Sequence, residues 1–191
     1  MTSNLRMQTK SSARELVMCG MFVALIAVGA FIKIPIPVVP FTLQFLFTML
    51  AGLLLGGRLG AMSVLGYIIL GLAGLPIFTE GGGIYYLLKP SFGYIIGFCI
   101  ASYVTGKIAN KMEMPTLKRL LCANFVGLAI VYGMGMLYYY VICNFVILTP
   151  IGVGTLFLYC FVLAVPGDIF LCIASAILAQ RMIPILRRMM N

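Results

Sequence analysis

The feature that most constrains this chain is a series of six apolar stretches, each close to the length of a membrane-spanning helix. They cover residues 14–34, 41–57, 59–75, 91–108, 119–147 and 154–180. A helix needs about 20 predominantly apolar residues to cross the hydrocarbon of a bilayer. Transmembrane β-strands give weaker, alternating runs of about 10 residues, which this chain lacks. We therefore predict an all-α membrane protein in which six transmembrane helices form one bundle.

Composition supports this prediction. Hydrophobic residues make up 63% of the chain and charged residues 9%, and the mean hydropathy is +1.14. Such values lie far outside those of soluble globular domains. No linker or low-complexity tract divides the sequence, so we predict a single integral membrane domain over residues 1–191. The first stretch is interpreted as a helix, because it is long for a signal peptide and lacks a good cleavage-site pattern.

The basic residues predict how the bundle is oriented. Of the 13 Lys and Arg residues, only Lys33 and Lys89 fall in connections on one side of the predicted bundle. Basic residues collect on the cytoplasmic side of membrane proteins. We therefore predict that both termini are cytoplasmic and that Lys33 and Lys89 lie outside. The net charge of +9 is then a topology signal that needs no nucleic acid to explain it.

Asp168 is the only acidic residue well inside one of the apolar stretches, since Glu15 lies at the very start of the first. A carboxylate in a span costs roughly 2.5–3.5 kcal/mol on insertion scales, so it usually marks a substrate path, an ion site or a buried pair. Asp168 lies about a dozen residues, or roughly 18 Å, into the sixth stretch. Either that span begins later than drawn, or a break at Pro166-Gly167 brings the site to the acid.

Missing residue types argue against catalysis. The chain has no His, hence no Ser-His or Cys-His pair and no HExxH zinc motif. Its six Cys are scattered singly and are interpreted as small apolar filler. A single intramembrane acid gives no carboxylate pair for acid–base work or Mg²⁺. We predict no enzyme activity, no metal and no cofactor. Because no GxxxxGK[ST] motif is present, ATP-driven transport needs an ATPase on another chain.

Ligand binding is the remaining prediction, by residues that the topology places in the outer half. Asp168, Asn144 and Gln44 offer donors and acceptors for amide-like groups, whereas Lys89 and Ser91 suit an anionic group. Aromatic side chains suit the apolar body of a ligand. The aromatic candidates are Tyr85, Tyr86, Phe92, Tyr94, Tyr139 and Tyr140.

Each candidate also has an interpretation without a ligand. Tyrosines near helix ends often form only the interfacial belt, and Lys89 can reach toward the lipid head groups. Gln44 and Asn144 can link helices by hydrogen bonds. Asp168 can be a structural residue, paired with a backbone group or a tyrosine.

Proline, glycine and other small residues mark the connections and the helix contacts. Prolines exclude regular helix from residues 34–40. Residues 76–90, here named the lid loop, are apolar enough to pack over the bundle, with Gly81-Gly82-Gly83 as a hinge or a tight turn. Four-residue spacing of small residues predicts close helix packing, and the Gly20/Ala24 face of the first span can alternatively dock a second membrane protein. The other such series are Gly52, Gly56 and Gly60, and Gly93 and Gly97.

Several motifs follow one another in a specific order. They are Val39-Pro40-Phe41-Thr42-Leu43-Gln44, Leu50-Ala51-Gly52-Leu53-Leu54-Leu55-Gly56, Gly71-Leu72-Ala73-Gly74-Leu75-Pro76-Ile77-Phe78, Gly82-Gly83, Pro90-Ser91-Phe92-Gly93-Tyr94-Ile95-Ile96-Gly97-Phe98 and Pro166-Gly167-Asp168. With this string the chain resembles BioY, the biotin-specific substrate-binding subunit (S component) of energy-coupling factor (ECF) vitamin transporters.

The resemblance implies six helices, high-affinity capture of biotin from outside the bacterial cytoplasmic membrane, and delivery inward. It also implies a partner module of a transmembrane coupling protein and two cytoplasmic ATPase subunits, which alone use ATP. The family couples through small residues on its first helix, which Gly20 and Ala24 match in degenerate form.

Two departures from the family pattern concern the site. The usual Gly-Pro-Thr-Gly-Gly-Tyr is Lys89-Pro90-Ser91-Phe92-Gly93-Tyr94 here, and a Lys common three residues after the motif Asp is Leu171. Lys89 is therefore a candidate to replace that Lys. The resulting expectation assigns Asp168 and Asn144 to the ureido ring of biotin, Lys89 and Ser91 to its carboxylate, and the aromatic residues to its body.

Two other functions stay open at this point. One is a proton-coupled small-molecule carrier that uses Asp168 as its protonation site. The other is a structural or assembly protein in which Asp168 is merely buried and no ligand binds.

Overall fold

The computed structural model describes residues 2–34, 41–112 and 114–190, with only the backbone described for residues 2–12, 34 and 187–190. The predicted proline-stiffened connection lies almost wholly outside the described residues. The helices are α1 Thr2–Phe31, α2 Gln44–Leu55, α3 Gly57–Leu72, α4 Phe92–Ala109, α5 Leu117–Val141, α6 Val153–Phe157 and α7 Val165–Met190. Shorter elements are the strands β1 Lys33–Ile34 and β2 Phe41–Thr42, a 3₁₀ turn Ile84–Leu88, and π-helical segments Ile142–Val146 and Leu158–Val162.

The helices correspond to the six predicted stretches in order. The fifth stretch is α5 with the π segment that follows it, and the sixth is divided into α6, a π segment and α7. Four helical runs are long and apolar enough to cross a membrane: Ala13–Phe31, Phe92–Ala109, Leu117–Val146 and Val153–Leu186. Helices α2 and α3 are shorter, with 12 and 16 residues. The prediction of an all-α protein with six helical segments is confirmed.

Glycines let α2, α3 and α4 approach with backbone against backbone. Gly56 alone separates α2 from α3, and its φ of 88° lies in the left-handed region that glycine adopts without strain. A Cβ added to Gly106 of α4 would overlap the backbone of Gly57, and a Cβ added to Gly60 would lie 2.7 Å from the Cα of Gly52. Such contacts supply dispersion where lipid removes the hydrophobic drive between helices. The predicted close packing of this glycine series is confirmed.

The other small-residue series behave differently from each other. Gly93 and Gly97 of α4 face α5, where a Cβ on Gly97 would lie 3.0 Å from the Cα of Val131. Gly20 has no atom within 4 Å of an added Cβ, and both Gly20 and Ala24 are exposed. Gly93 and Gly97 therefore pack inside the bundle, whereas the Gly20/Ala24 face of α1 does not.

The lid loop packs over the bundle, as its apolar composition predicts. Phe78 is fully buried, and Tyr67 donates a hydrogen bond to the carbonyl of Ile77 at 3.0 Å. Tyr138 donates to the carbonyl of Leu87 at 2.5 Å. The glycine run makes a tight turn, with φ of 114° at Gly81. The lid loop is thus held at one end of the bundle, the same end as β1 and β2, called the lid end below.

A buried polar contact joins α5 to α7 on the side of Asp168 away from the lid end. The side-chain amide of Asn124 donates to the carbonyl of Cys172 and to Oγ of Ser175, both at 2.8 Å. Both polar side chains are fully buried. A buried amide must be paired to avoid a desolvation cost, so this contact fixes how the two helices face each other.

We expect Gly106→Ala to destabilise the protein by about 1–3 kcal/mol, because the new methyl group forces α4 away from α2 and α3. Gly133→Ala on α5 is the matched control, since an added Cβ there meets no atom within 4 Å. Unfolding in detergent is followed by a thiol-reactive dye, which the buried Cys143, Cys160 and Cys172 react with on exposure. Equal melting temperatures for the two variants would contradict the close contact.

We expect Asn124→Ala to lower stability by about 1–2 kcal/mol, because both interhelical hydrogen bonds are lost inside the bundle. Asn110→Ala serves as control, since the amide of Asn110 donates to the carbonyl of Gly106 within its own helix. The same dye-based melting curve applies. If the control loses as much stability as Asn124→Ala, the α5–α7 contact is not the stabilising element.

Candidate ligand-binding site

A cavity opens at the lid end, between the helix bundle and the lid loop. Its empty space is about 600 Å³ when counted out to the solvent at the mouth. Its wall is formed by Phe41, Thr42, Gln44, Phe45, Thr79, Tyr86, Ser91, Tyr94, Ile95, Phe98, Val131, Tyr132, Cys160, Ala164 and Asp168.

Asp168 reaches the cavity because the sixth stretch restarts as a new helix just before it. A turn at Leu163 and Ala164 ends the π segment, and α7 begins at Val165 with Asp168 in its first turn. Pro166 fits there, since the first helical turn needs no amide donor from it. A carboxylate is favourable near a helix N-terminus. The break lies at Leu163 and Ala164, whereas Pro166 and Gly167 are helical; the helix that carries Asp168 begins at Val165, later than the sixth stretch was drawn.

The Asp168 carboxylate has one protein partner on the cavity wall. The hydroxyl of Tyr132, on α5, donates to Oδ2 of Asp168 at 2.5 Å. The Tyr132 ring packs edge-on against Tyr94 and Phe161, with centroid distances of 6.0 and 5.4 Å. Aromatic packing on two sides thus fixes the position of the Tyr132 hydroxyl, and its hydrogen bond fixes the position of Oδ2 of Asp168. The other oxygen is free to accept from a ligand.

Two buried polar atoms of the wall have no hydrogen-bond partner among the described residues. They are Nε2 of Gln44 and the hydroxyl of Tyr94, whose residues are 3% and 8% exposed. An unpaired buried donor costs about 1–3 kcal/mol, and such groups in native proteins usually have a specific reason. In a cavity wall that reason is a polar group on the ligand or a bound water. Gln44, Tyr94 and Asp168 therefore define the polar part of an otherwise largely apolar cavity.

The structure brings together five of the eleven predicted site residues. Asp168, Gln44, Ser91, Tyr86 and Tyr94 all line the cavity. Thr42 does so as well. Tyr86 is held in place by a hydrogen bond of 2.9 Å between its hydroxyl and that of Thr79.

Asn144 and Tyr140 lie outside the cavity wall. The chain turns π-helical from Ile142 to Val146, and Asn144 donates to the carbonyl of Tyr140 at 3.0 Å and more weakly to that of Ile151 at 3.4 Å. Its amide therefore supports the turn between the fifth and sixth stretches. The Tyr140 ring packs against Phe145, with 6.5 Å between centroids.

Three other aromatic candidates, Tyr85, Phe92 and Tyr139, also lie outside the cavity wall. Phe92 is buried behind the wall, with its ring 6.3 Å from Tyr86 and 6.1 Å from Tyr138 between centroids. Tyr85 is 82% exposed on the lid loop.

Lys89 is held on the outside of the lid loop. Its ammonium lies 2.8 Å from Oε2 of Glu80, and both side chains are about half exposed, at 50% and 45%. The hydrogen bond and the charge of Glu80 raise the pKa of Lys89. Its charge is thus compensated on the surface, away from the cavity wall.

Tyr132 and Thr79 line the cavity, although the sequence analysis did not single them out. Tyr132 lies two helical turns before Tyr140, within the apolar part of the fifth stretch. A tyrosine far from a span end needs a hydroxyl partner, and the only intramembrane acid is the obvious candidate. The sequence therefore contained a signal for Tyr132. It contained no comparable signal for Thr79 in the lid loop.

Among the described residues, no three His, Cys, Asp or Glu side chains come together as a metal site requires.

The comparisons with known proteins agree with one another. Residues 4–188 match the model of the BioY family. A probable biotin transporter BioY from Lysinibacillus sphaericus is 50% identical over 181 residues, covering 95% of this chain and 92% of that protein. The biotin transporter BioY of Thermotoga maritima is 41% identical over 124 residues, covering 64% and 72%. These relatives are transporters and not enzymes.

The fold has a close match among solved structures. The crystal structure of the S-component for biotin from an ECF-type ABC transporter superposes with a TM-score of 0.77 at 26% identity, covering 91% of this chain and 92% of that one. The match includes nearly all of the helical bundle that carries the cavity. With a family model that spans almost the whole sequence, these findings show that the chain belongs to the BioY family.

Proposed function

We propose that this protein captures biotin in the cavity beside Asp168, as the biotin-binding S component of an ECF-type transporter. The observation that carries the proposal is the Asp168–Tyr132 pair in the wall of a largely apolar cavity, in a chain whose relatives are biotin transporters. The names of those relatives point to biotin as the ligand, and the geometry of the cavity supports this position for it.

The polar groups of the cavity suit the ureido ring of biotin. Its N–H groups are donors for the free oxygen of Asp168, and its carbonyl is an acceptor for Gln44 Nε2 or the Tyr94 hydroxyl. The latter two bonds would satisfy groups that have no hydrogen-bond partner among the described residues. The remaining wall accommodates the apolar rings and chain. Ser91 is proposed as a hydroxyl for the carboxylate end.

The proposal includes orientation and partners. Both termini face the cytoplasm, because that orientation leaves only Lys33 and Lys89 on the outside. Biotin then enters with high affinity from the outer side of the cell membrane and leaves inward. A transmembrane coupling protein and two ATPase subunits drive that step. This chain needs no cofactor, since ATP acts only on the partners.

We expect stoichiometric biotin binding by the purified protein, and about 10- to 100-fold weaker binding by Asp168→Asn. The carboxylate supplies a charge-assisted hydrogen bond that the amide does not replace. Isothermal titration in detergent measures both, after unfolding and refolding to remove copurified ligand. Glu80→Gln is the matched control, since Glu80 pairs with Lys89 on the surface, and its affinity should stay unchanged.

The same experiment separates the proposal from its alternatives. Failure of a folded sample to bind biotin would discard the biotin-binding function and make the proton-coupled carrier the leading alternative, whereas a structural protein would bind no ligand at all. A proton-coupled carrier would instead lose uptake when an uncoupler is added at constant ATP, and would need no ATPase partner.

We expect Gly20→Leu to weaken copurification with the coupling protein while leaving biotin affinity unchanged. Gly20 and Ala24 form an exposed small-residue face that packs against nothing in the bundle, and a bulky side chain blocks close helix approach there. Gly133→Leu, at another exposed glycine without near neighbours, is the control. Equal loss of the partner in both variants would place the docking surface elsewhere.

A further inference from the structure

The cavity contains one charge, and that charge is negative. Asp168 is the only charged side chain among the described residues of its wall, and residues 35–40 of the sequence contain no charged residue. An anionic group on a ligand is therefore repelled from the deep part of the cavity. A carboxylate must lie at the mouth, where a cation is needed.

Two lysines lie near the mouth, and they differ in how their charge is used. Lys89 forms an ion pair with Glu80 at 2.8 Å. Lys33 donates to the carbonyl of Thr79 at 3.1 Å and forms no ion pair with a described residue. A carbonyl occupies one of the three ammonium donors and leaves the charge uncompensated. Lys33 is thus the lysine available to an anion.

The backbone places Lys33 beside the cavity wall. Lys33 is paired with Thr42 in the antiparallel ladder of β1 and β2, and Thr42 lines the cavity. Thr79, which accepts the hydrogen bond from Lys33, lines it from the opposite, lid-loop side. The ammonium of Lys33 therefore bridges the two connections that border the mouth.

We propose that Lys33 binds the carboxylate of the ligand at the cavity mouth, while the N–H groups of the ligand face Asp168. This inference rests on the proposed function, and it fixes the orientation of biotin within it. Lys33 then acts as a specificity residue for a free carboxylate, and it ties the bound ligand to the lid loop through Thr79. Lys89 has the separate task of holding Glu80.

The test compares two ligands that differ only in their charged end. Biotin and biotin methyl ester are titrated into the wild-type protein, Lys33→Gln, Lys33→Arg and Lys89→Gln. We expect Lys33→Gln to weaken biotin binding about three- to tenfold and to leave the affinity for the ester unchanged, because the mouth is partly solvated. Lys33→Arg should keep most of the biotin affinity. Lys89→Gln should affect neither ligand.

Salt dependence gives an independent measure. Biotin affinity of the wild-type protein should fall with ionic strength, and Lys33→Gln should remove that slope. Equal weakening of both ligands by Lys33→Gln would overturn the proposal, because it would show a structural role through Thr79. A loss confined to biotin in Lys89→Gln would overturn it in favour of Lys89. Wild-type protein that binds neither ligand would overturn the proposed function and this inference with it.

Discussion

The hydrogen bond from Tyr132 to Asp168 is the contact around which the site is organised. A carboxylate inside an apolar bundle needs partners, because its desolvation is costly and lipid offers none. The restart of α7 at Val165 supplies a favourable helix N-terminus, and Tyr132 supplies a donor from α5. The same bond joins the two helices and leaves one oxygen for the cavity. A structural pair and the proposed binding group are therefore one feature, and the two sequence-based interpretations of Asp168 are compatible.

The cavity also depends on helix contacts that lie outside its own wall. Glycine backbones bring α2, α3 and α4 together, and the Asn124 amide fixes α5 against α7. These contacts give a rigid base below the lid end. The upper wall is built differently, from a two-residue ladder and the lid loop, which are fastened by single hydrogen bonds from Tyr67, Tyr138 and Lys33. The site thus combines a floor of packed helices with a cover of non-helical backbone, which is also attached through the buried Phe78 and a hydrogen bond from Gly83 N–H to the carbonyl of Gly71.

Sequence reasoning predicted the features that depend on local patterns. The lengths of the apolar stretches, the insertion cost of the single acid and the four-residue spacing of the glycines can all be read from the sequence alone. It misplaced residues whose position depends on contacts between distant segments. The surface pairing of Lys89 depends on how the lid loop folds back, and the displacement of Asn144 depends on a π segment. Lys33 looked like a topology residue until the ladder placed it opposite Thr42.

The shortness of α2 determines at what depth the cavity lies. Twelve residues span about 18 Å, against a hydrocarbon thickness of about 30 Å. Above Gln44 the chain continues as strand rather than helix, and the lid loop occupies the same level. Non-helical backbone is tolerated at such depth where it borders a cavity or is enclosed by protein. We therefore expect the proposed binding site to be a recess within the depth of the bilayer, with its cover as part of the permeability barrier of the membrane.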